Sequence, residues 1–208
     1  MNDKQLRLIV WLISAISVVL AVVAWGGDLQ WNFGYLSTYS LFPLFGLVAF
    51  SLMWSHYMAA MLRRLVRAEA SSLARYFEIT SLAVLAAILL HPGLLLWQLW
   101  RDGLGLPPGS VRAYTGSLYG AALLGVIALV LFMAYELRRK FKTRSWWKYV
   151  QNASDFAMFL ILIHALRLGS NLQQGWFRGV WYFYGLSLLV ALVYNYLAKR
   201  RKNHRAIA

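Results

Sequence analysis

Residues 77–97 read FEITSLAVLAAILLHPGLLLW. One carboxylate, Glu78, stands near the start and one histidine, His91, toward the end; nearly everything between them is aliphatic. An α-helix crosses the hydrocarbon of a bilayer with about 20 mostly apolar residues, and this stretch has that length and character. Working outward, five more stretches read the same way: 6–25, 41–62, 117–137, 150–168 and 180–197. They leave only short connections, so consecutive helices are expected to be antiparallel neighbours. The expected fold class is an all-α membrane protein, a six-transmembrane-helix bundle occupying 1–208 as one domain.

Composition agrees. Of the 208 residues, 61% are hydrophobic and 13% charged, whereas a soluble domain has roughly half and a quarter. That excludes a water-soluble enzyme and also a disordered chain, which needs low hydrophobicity. The absence of cysteine excludes a disulfide scaffold, a zinc–thiolate site, an iron–sulfur cluster and a cysteine nucleophile. Lys4 and Arg7 precede the first span, as in a signal peptide. Its apolar run is too long for a signal peptide's core, however, and no small-residue cleavage site follows, so it is expected to remain as a helix.

The net charge of +14 is explained by where the cations stand. Seventeen of the 21 Lys and Arg residues fall at the N-terminus, in the second-to-third and fourth-to-fifth connections and in the C-terminal tail; Arg101, Arg112, Arg167 and Arg178 fall on the other side. The positive-inside rule then puts the N and C termini in the cytoplasm, with attraction to anionic lipid as a companion effect. No nucleic acid is expected as a partner, because no folded basic surface exists outside the membrane-flanking segments. Trp97, Trp100, Trp176 and Trp181 near the outer boundary, and Trp54, Trp146, Trp147 and Tyr149 toward the inner one, read as interfacial belts.

Ionisable groups inside hydrocarbon are costly and usually face a bundle interior. His91 and His164 are the informative pair. The third and fifth spans run in the same direction, and each histidine lies within about seven residues, roughly 10 Å of helix rise, of its outer end. Two imidazoles at matching depth on different helices suit a haem held between them by axial ligation. Zinc is the weaker reading, since two ligands do not complete its tetrahedron. Pro92 is expected to loosen the helix beside His91. Ala83, Ala86 and Ala87, and Gly116, Gly120 and Gly125 on the fourth span, offer small-residue surfaces that serve either a haem face or close helix packing. Arg167, one turn from His164, is a candidate partner for a haem propionate, and Arg101, Arg112 and Arg178 are weaker ones. In the inner half, His56, Glu78, Gln151 and Asp155 form a candidate polar cluster for quinone or flavin contact or for proton transfer. The alternative is that Glu78 and Asp155 are helix-start residues favoured by the dipole.

The six-span layout with histidines in the third and fifth spans resembles the ferric reductase-like transmembrane domain family. Its members include NADPH oxidases, metalloreductases and the haem-binding membrane subunit of the bacterial methionine sulfoxide reductase system. The stretch RSWWKYVQNASDFAMFLILIHALRLGS, with Trp147, Asn152, Ile163 and His164, is similar to the fifth-helix region of that subunit, and AAILLHPGLLLWQLW, with His91, to its third helix. The resemblance implies electron transfer through b-type haem, with His91 and His164 as axial ligands of an outer haem. Two-haem members carry a second histidine pair further inward. Here Glu78 and Gln151 stand at those positions, so one haem b is expected, with a quinone or flavin bridging the inner half and a redox partner protein or quinol as donor. The expected function is a membrane b-type cytochrome passing electrons to an acceptor at the outer face, possessing oxidoreductase activity only with its partners, in a bacterial inner (plasma) membrane. The rival readings are a non-catalytic scaffold or assembly subunit that keeps the fold, and a small transporter, for which Pro92 is the only helix-breaking signal.

Overall fold

A computed structural model describes residues 1–110, 116–136, 146–173 and 175–207, the side chains of 35, 117, 134–136, 148, 151 and 199–207 excepted. Among the described residues the chain is helical, without strands. The long helices are α1 (Asp3–Asp28), α2 (Thr38–Leu65), α3 (Ala74–Arg101), α4 (Ser117–Glu136), α5 (Trp147–Leu168) and α6 (Trp176–Ile207), joined in places by single 3-10 turns. Among the described residues four stretches are long and apolar enough to cross a membrane: Asp3–Asp28, Thr38–Leu65, Ala70–Arg101 and Trp176–Ala198. A shorter apolar stretch, Leu118–Met133, lies within α4. α5 is more polar, carrying Gln151, Asn152, Ser154 and Asp155 in its first half and His164 and Arg167 in its second.

Helix ends lie beyond the apolar stretches where local chemistry caps them. Asn2 accepts from the Gln5 backbone N–H while the Gln5 side chain accepts from the Asn2 N–H. Ser37 and Ser40 make the same reciprocal pair at the start of α2. Each pair satisfies backbone donors that the first turn leaves without helical partners.

Two compact units make up the chain, residues 1–95 with 182–208 and residues 96–181. In the first, α1 packs along α2. Through the middle of α1 the buried side chains are small (Ser14, Ser17, Ala21, Ala24), and the exposed ones are large and aliphatic (Leu8, Leu12, Ile16, Val19, Val23). That is the reverse of a helix on a water-soluble protein. It fits a lipid surroundings, where large side chains meet acyl tails and small ones let helix backbones approach.

A hydroxyl cluster ties three helices together. The Ser14 and Ser55 hydroxyls are 3.0 Å apart, and the Tyr76 hydroxyl lies 2.8 Å from each. All three residues are buried, beside an apolar cluster of Leu6, Val10, Ala59 and Leu73. From α6, Tyr184 stacks on Trp54 at 4.3 Å between ring centroids and Ser187 accepts from Trp54 Nε1 at 2.9 Å. In the second unit, α4 and α5 pack side by side.

Candidate functional site

His91 sits on α3 and donates its Nδ1–H to the backbone carbonyl of Phe42 on α2 at 2.7 Å. A carbonyl oxygen only accepts, so the proton is on Nδ1 and the lone pair on Nε2. The ring lies over Gly46: a Cβ built there would stand 2.8 Å from His91 Cε1 and Nδ1. The Phe42 ring flanks the imidazole at 5.5 Å between centroids.

His164 on α5 repeats this arrangement in the other unit. Its Nδ1–H donates to the carbonyl of Ala121 on α4 at 2.8 Å. A Cβ on Gly125 would stand 2.6 Å from His164 Cε1 and Nδ1. In both cases the glycine follows the accepting residue by four positions, one helical turn. The two acceptors also share a register, since Phe42 lies four residues after Thr38, where α2 starts, and Ala121 four after Ser117, where α4 starts. The histidines are less alike when measured from their own helix ends, because α3 continues to Arg101 and α5 stops at Leu168. Helix ends follow capping, and span ends follow hydropathy, so the two measures of depth diverge.

Each imidazole, taken by itself, has the chemistry of an axial ligand to a haem iron. A metal-binding histidine ordinarily donates its other ring N–H to a carbonyl or carboxylate, which fixes the tautomer and makes the ligating nitrogen more basic. Both residues meet that condition. Among the described residues no group of three His, Asp or Glu side chains is arranged to hold a metal ion.

The remaining candidates are placed as follows. Arg167 and Arg101 are exposed, Arg178 is half-buried and donates to the carbonyl of Gln173 at 2.7 Å, and Arg112 lies outside the described residues. Ala87, one turn before His91, is buried, while Ala83 and Ala86 are exposed. A Cβ on Gly120 or Gly116 would meet nothing within 4 Å, and Gly116 has a φ of +54°.

The inner cluster takes a different form in the first unit. His56 Nε2 pairs with Thr80 Oγ1 at 2.7 Å, and the Thr80 hydroxyl itself donates to the carbonyl of Tyr76 at 2.6 Å. With that hydroxyl hydrogen engaged, His56 Nε2 is the donor. Tyr76 and Thr80 share one face of α3, and Glu78, two residues from each, projects from the far side of the helix and is exposed. Asp155 is half-buried on α5, and the Gln151 side chain lies outside the described residues.

Three features escape a reading by residue type. Phe42 acts through its backbone, Gly46 through having no side chain, and Ser14, Ser55 and Tyr76 through their mutual contact. The serines do leave a trace: a hydroxyl one turn from another, as Ser51 and Ser55 are, is unusual in an otherwise apolar helix. Comparison with models of known families, with curated proteins and with solved structures finds no match to this chain.

Proposed function

We propose that this chain is a membrane b-type cytochrome. Its six helices cross the bilayer with both termini in the cytoplasm, and His91 and His164 are the axial ligands of one haem b in the outer half. The observation that carries the reading is the paired one: each imidazole has its Nδ1–H committed to a backbone carbonyl, which makes Nε2 the ligating atom. A bound haem would supply one-electron ferric–ferrous chemistry. The chain's own part is to present the two lone pairs, to surround the site with apolar side chains that lower the dielectric, and to offer Arg167, Arg101 and Arg178 as cations for propionates or an anionic acceptor. Electrons come from a quinol or a flavin-bearing partner and leave to an acceptor at the outer face. Residues of the ferric reductase-like pattern at Trp147, Asn152, His91 and His164 support the same assignment.

The test is an absorption spectrum of the purified protein, oxidised and then reduced. A low-spin bis-histidine spectrum that sharpens and shifts on reduction is expected. The same carbonyl contacts also tie α2 to α3 and α4 to α5 without a cofactor. A protein that stays colourless after expression with ample haem selects the scaffold reading instead.

Topology has its own test, helped by the absence of native cysteine. Glu69 and Leu104 are exposed in the connections at opposite ends of α3. Leu104→Cys is expected to react with a membrane-impermeant thiol reagent from outside intact cells, and Glu69→Cys only after the membrane is opened. The reverse pattern would invert the orientation.

A further inference from the structure

We propose that Gly46 and Gly125 are positioning residues, notches that seat the His91 and His164 rings so that Nδ1 bonds the carbonyl one turn earlier and the ring is held in the tautomer with its lone pair on Nε2. The inference rests on the haem reading and adds to it a pair of residues that touch neither iron nor substrate.

The geometry is tight. The missing Cβ would stand 2.8 Å from the His91 ring at Gly46 and 2.6 Å from the His164 ring at Gly125. Real Cβ atoms essentially never approach so closely, and the atoms in the way belong to a rigid ring. A methyl group there moves the whole imidazole, and with it the hydrogen bonds of 2.7 Å and 2.8 Å. Gly26 in α1 is as tight, with a Cβ that would stand 2.7 Å from the Trp31 ring, whereas at Gly27, Gly93, Gly120 and Gly179 a Cβ would meet nothing within 4 Å.

Close helix packing accounts for a glycine opposite any bulky group. It does not account for the repetition. In both places the bulky group is an imidazole, the bonded nitrogen is Nδ1, the acceptor is the carbonyl four residues before the glycine, and the glycine stands eight residues into its helix. The two helix starts, TYSLFPLFG and SLYGAALLG, have little else in common. A shared requirement on the imidazole explains that better than two separate packing accidents.

The experiment compares Gly46→Ala and Gly125→Ala with Gly27→Ala and Gly179→Ala, all purified as full-length haem-loaded protein. The first readout is haem loss to an excess of a haem-scavenging apoprotein. Removing a partner that orients a metal ligand typically weakens the site about 10-fold or more, so haem should leave the two seat variants about 10-fold faster than wild type, and the controls at the wild-type rate. The second readout is the midpoint potential, which should rise in the seat variants because an Nδ1–H without its carbonyl makes Nε2 a poorer donor. A purely structural role would not move it.

The third is a double-mutant cycle on cofactor-free protein. Gly125→Ala should lower the unfolding midpoint in the wild-type background and have little effect beside His164→Ala, because the obstructing ring is then gone. Gly46→Ala and His91→Ala should behave likewise. Seat variants that hold haem as firmly as the controls, at an unchanged potential and with no coupling in the cycle, overturn this proposal while the haem reading stands. A wild-type protein that takes up no haem overturns both.

Discussion

His91→Ala and His164→Ala should each strip the protein of its haem spectrum, and His56→Ala should leave it nearly intact. The three histidines are all half-buried in apolar helices, so burial does not separate them. Their hydrogen bonds do. His91 and His164 each donate the Nδ1 proton to a backbone carbonyl, which puts the lone pair on Nε2. His56 gives its Nε2 proton to Thr80, whose own hydrogen is spent on the Tyr76 carbonyl. A bis-histidine site that loses either ligand loses its low-spin character and at least about 10-fold in retention, since even second-layer partners cost that much. The measurement is the reduced-minus-oxidised difference spectrum at matched protein concentration. Pigment that survives both His91→Ala and His164→Ala, or that vanishes with His56→Ala alone, would replace the ligand assignment.

Tyr76→Ala is expected to cause a large loss of stability. Its ring is buried against Leu6, Val10, Ala59 and Leu73, meets Trp11 edge-on at 5.2 Å, and its hydroxyl closes a triangle with Ser14 and Ser55. Truncating a buried aromatic side chain to alanine costs about 3–5 kcal/mol. Tyr76→Phe should cost only about 1 kcal/mol, because Ser14 and Ser55 keep their bond to each other and measured hydrogen bonds between membrane helices are weak. Unfolding midpoints in a fixed detergent mixture would rank the two variants. Equal losses would mean that the hydroxyl, not the ring, dominates. Tyr76 and His91 are 15 residues apart on α3, roughly 22 Å of helix rise, so Tyr76→Phe should leave the haem spectrum unchanged, which separates stability from ligation.

What could be read from the chain alone depended on physics that is local in sequence. Hydropathy over a bilayer's length located every long helix to within a few residues at most ends; α6 runs well past 197, because a basic tail continues a helix that lipid no longer requires. Charge asymmetry between connections, and histidines in the third and fifth helices, were equally plain. α4 and α5 show the limit of that signal. One has a short apolar stretch and the other a polar first half, so among the described residues four stretches are long and apolar enough to cross a membrane, against the six expected from the sequence.

The tertiary structure decided which atoms meet. A backbone carbonyl looks the same at every residue, and a glycine in an apolar helix advertises nothing about its neighbour, so Phe42 with Gly46 and Ala121 with Gly125 emerge only when the facing helix is in place. The direction in which Glu78 projects, away from Tyr76 and Thr80, follows from helical phase once His56 is seen against that other face. Sequence by itself thus determined that these helices are apolar enough for lipid and which of them carry a histidine. Three-dimensional packing determined which nitrogen of each imidazole holds the proton, because a tautomer is chosen by the partner across the helix interface and by nothing along the chain.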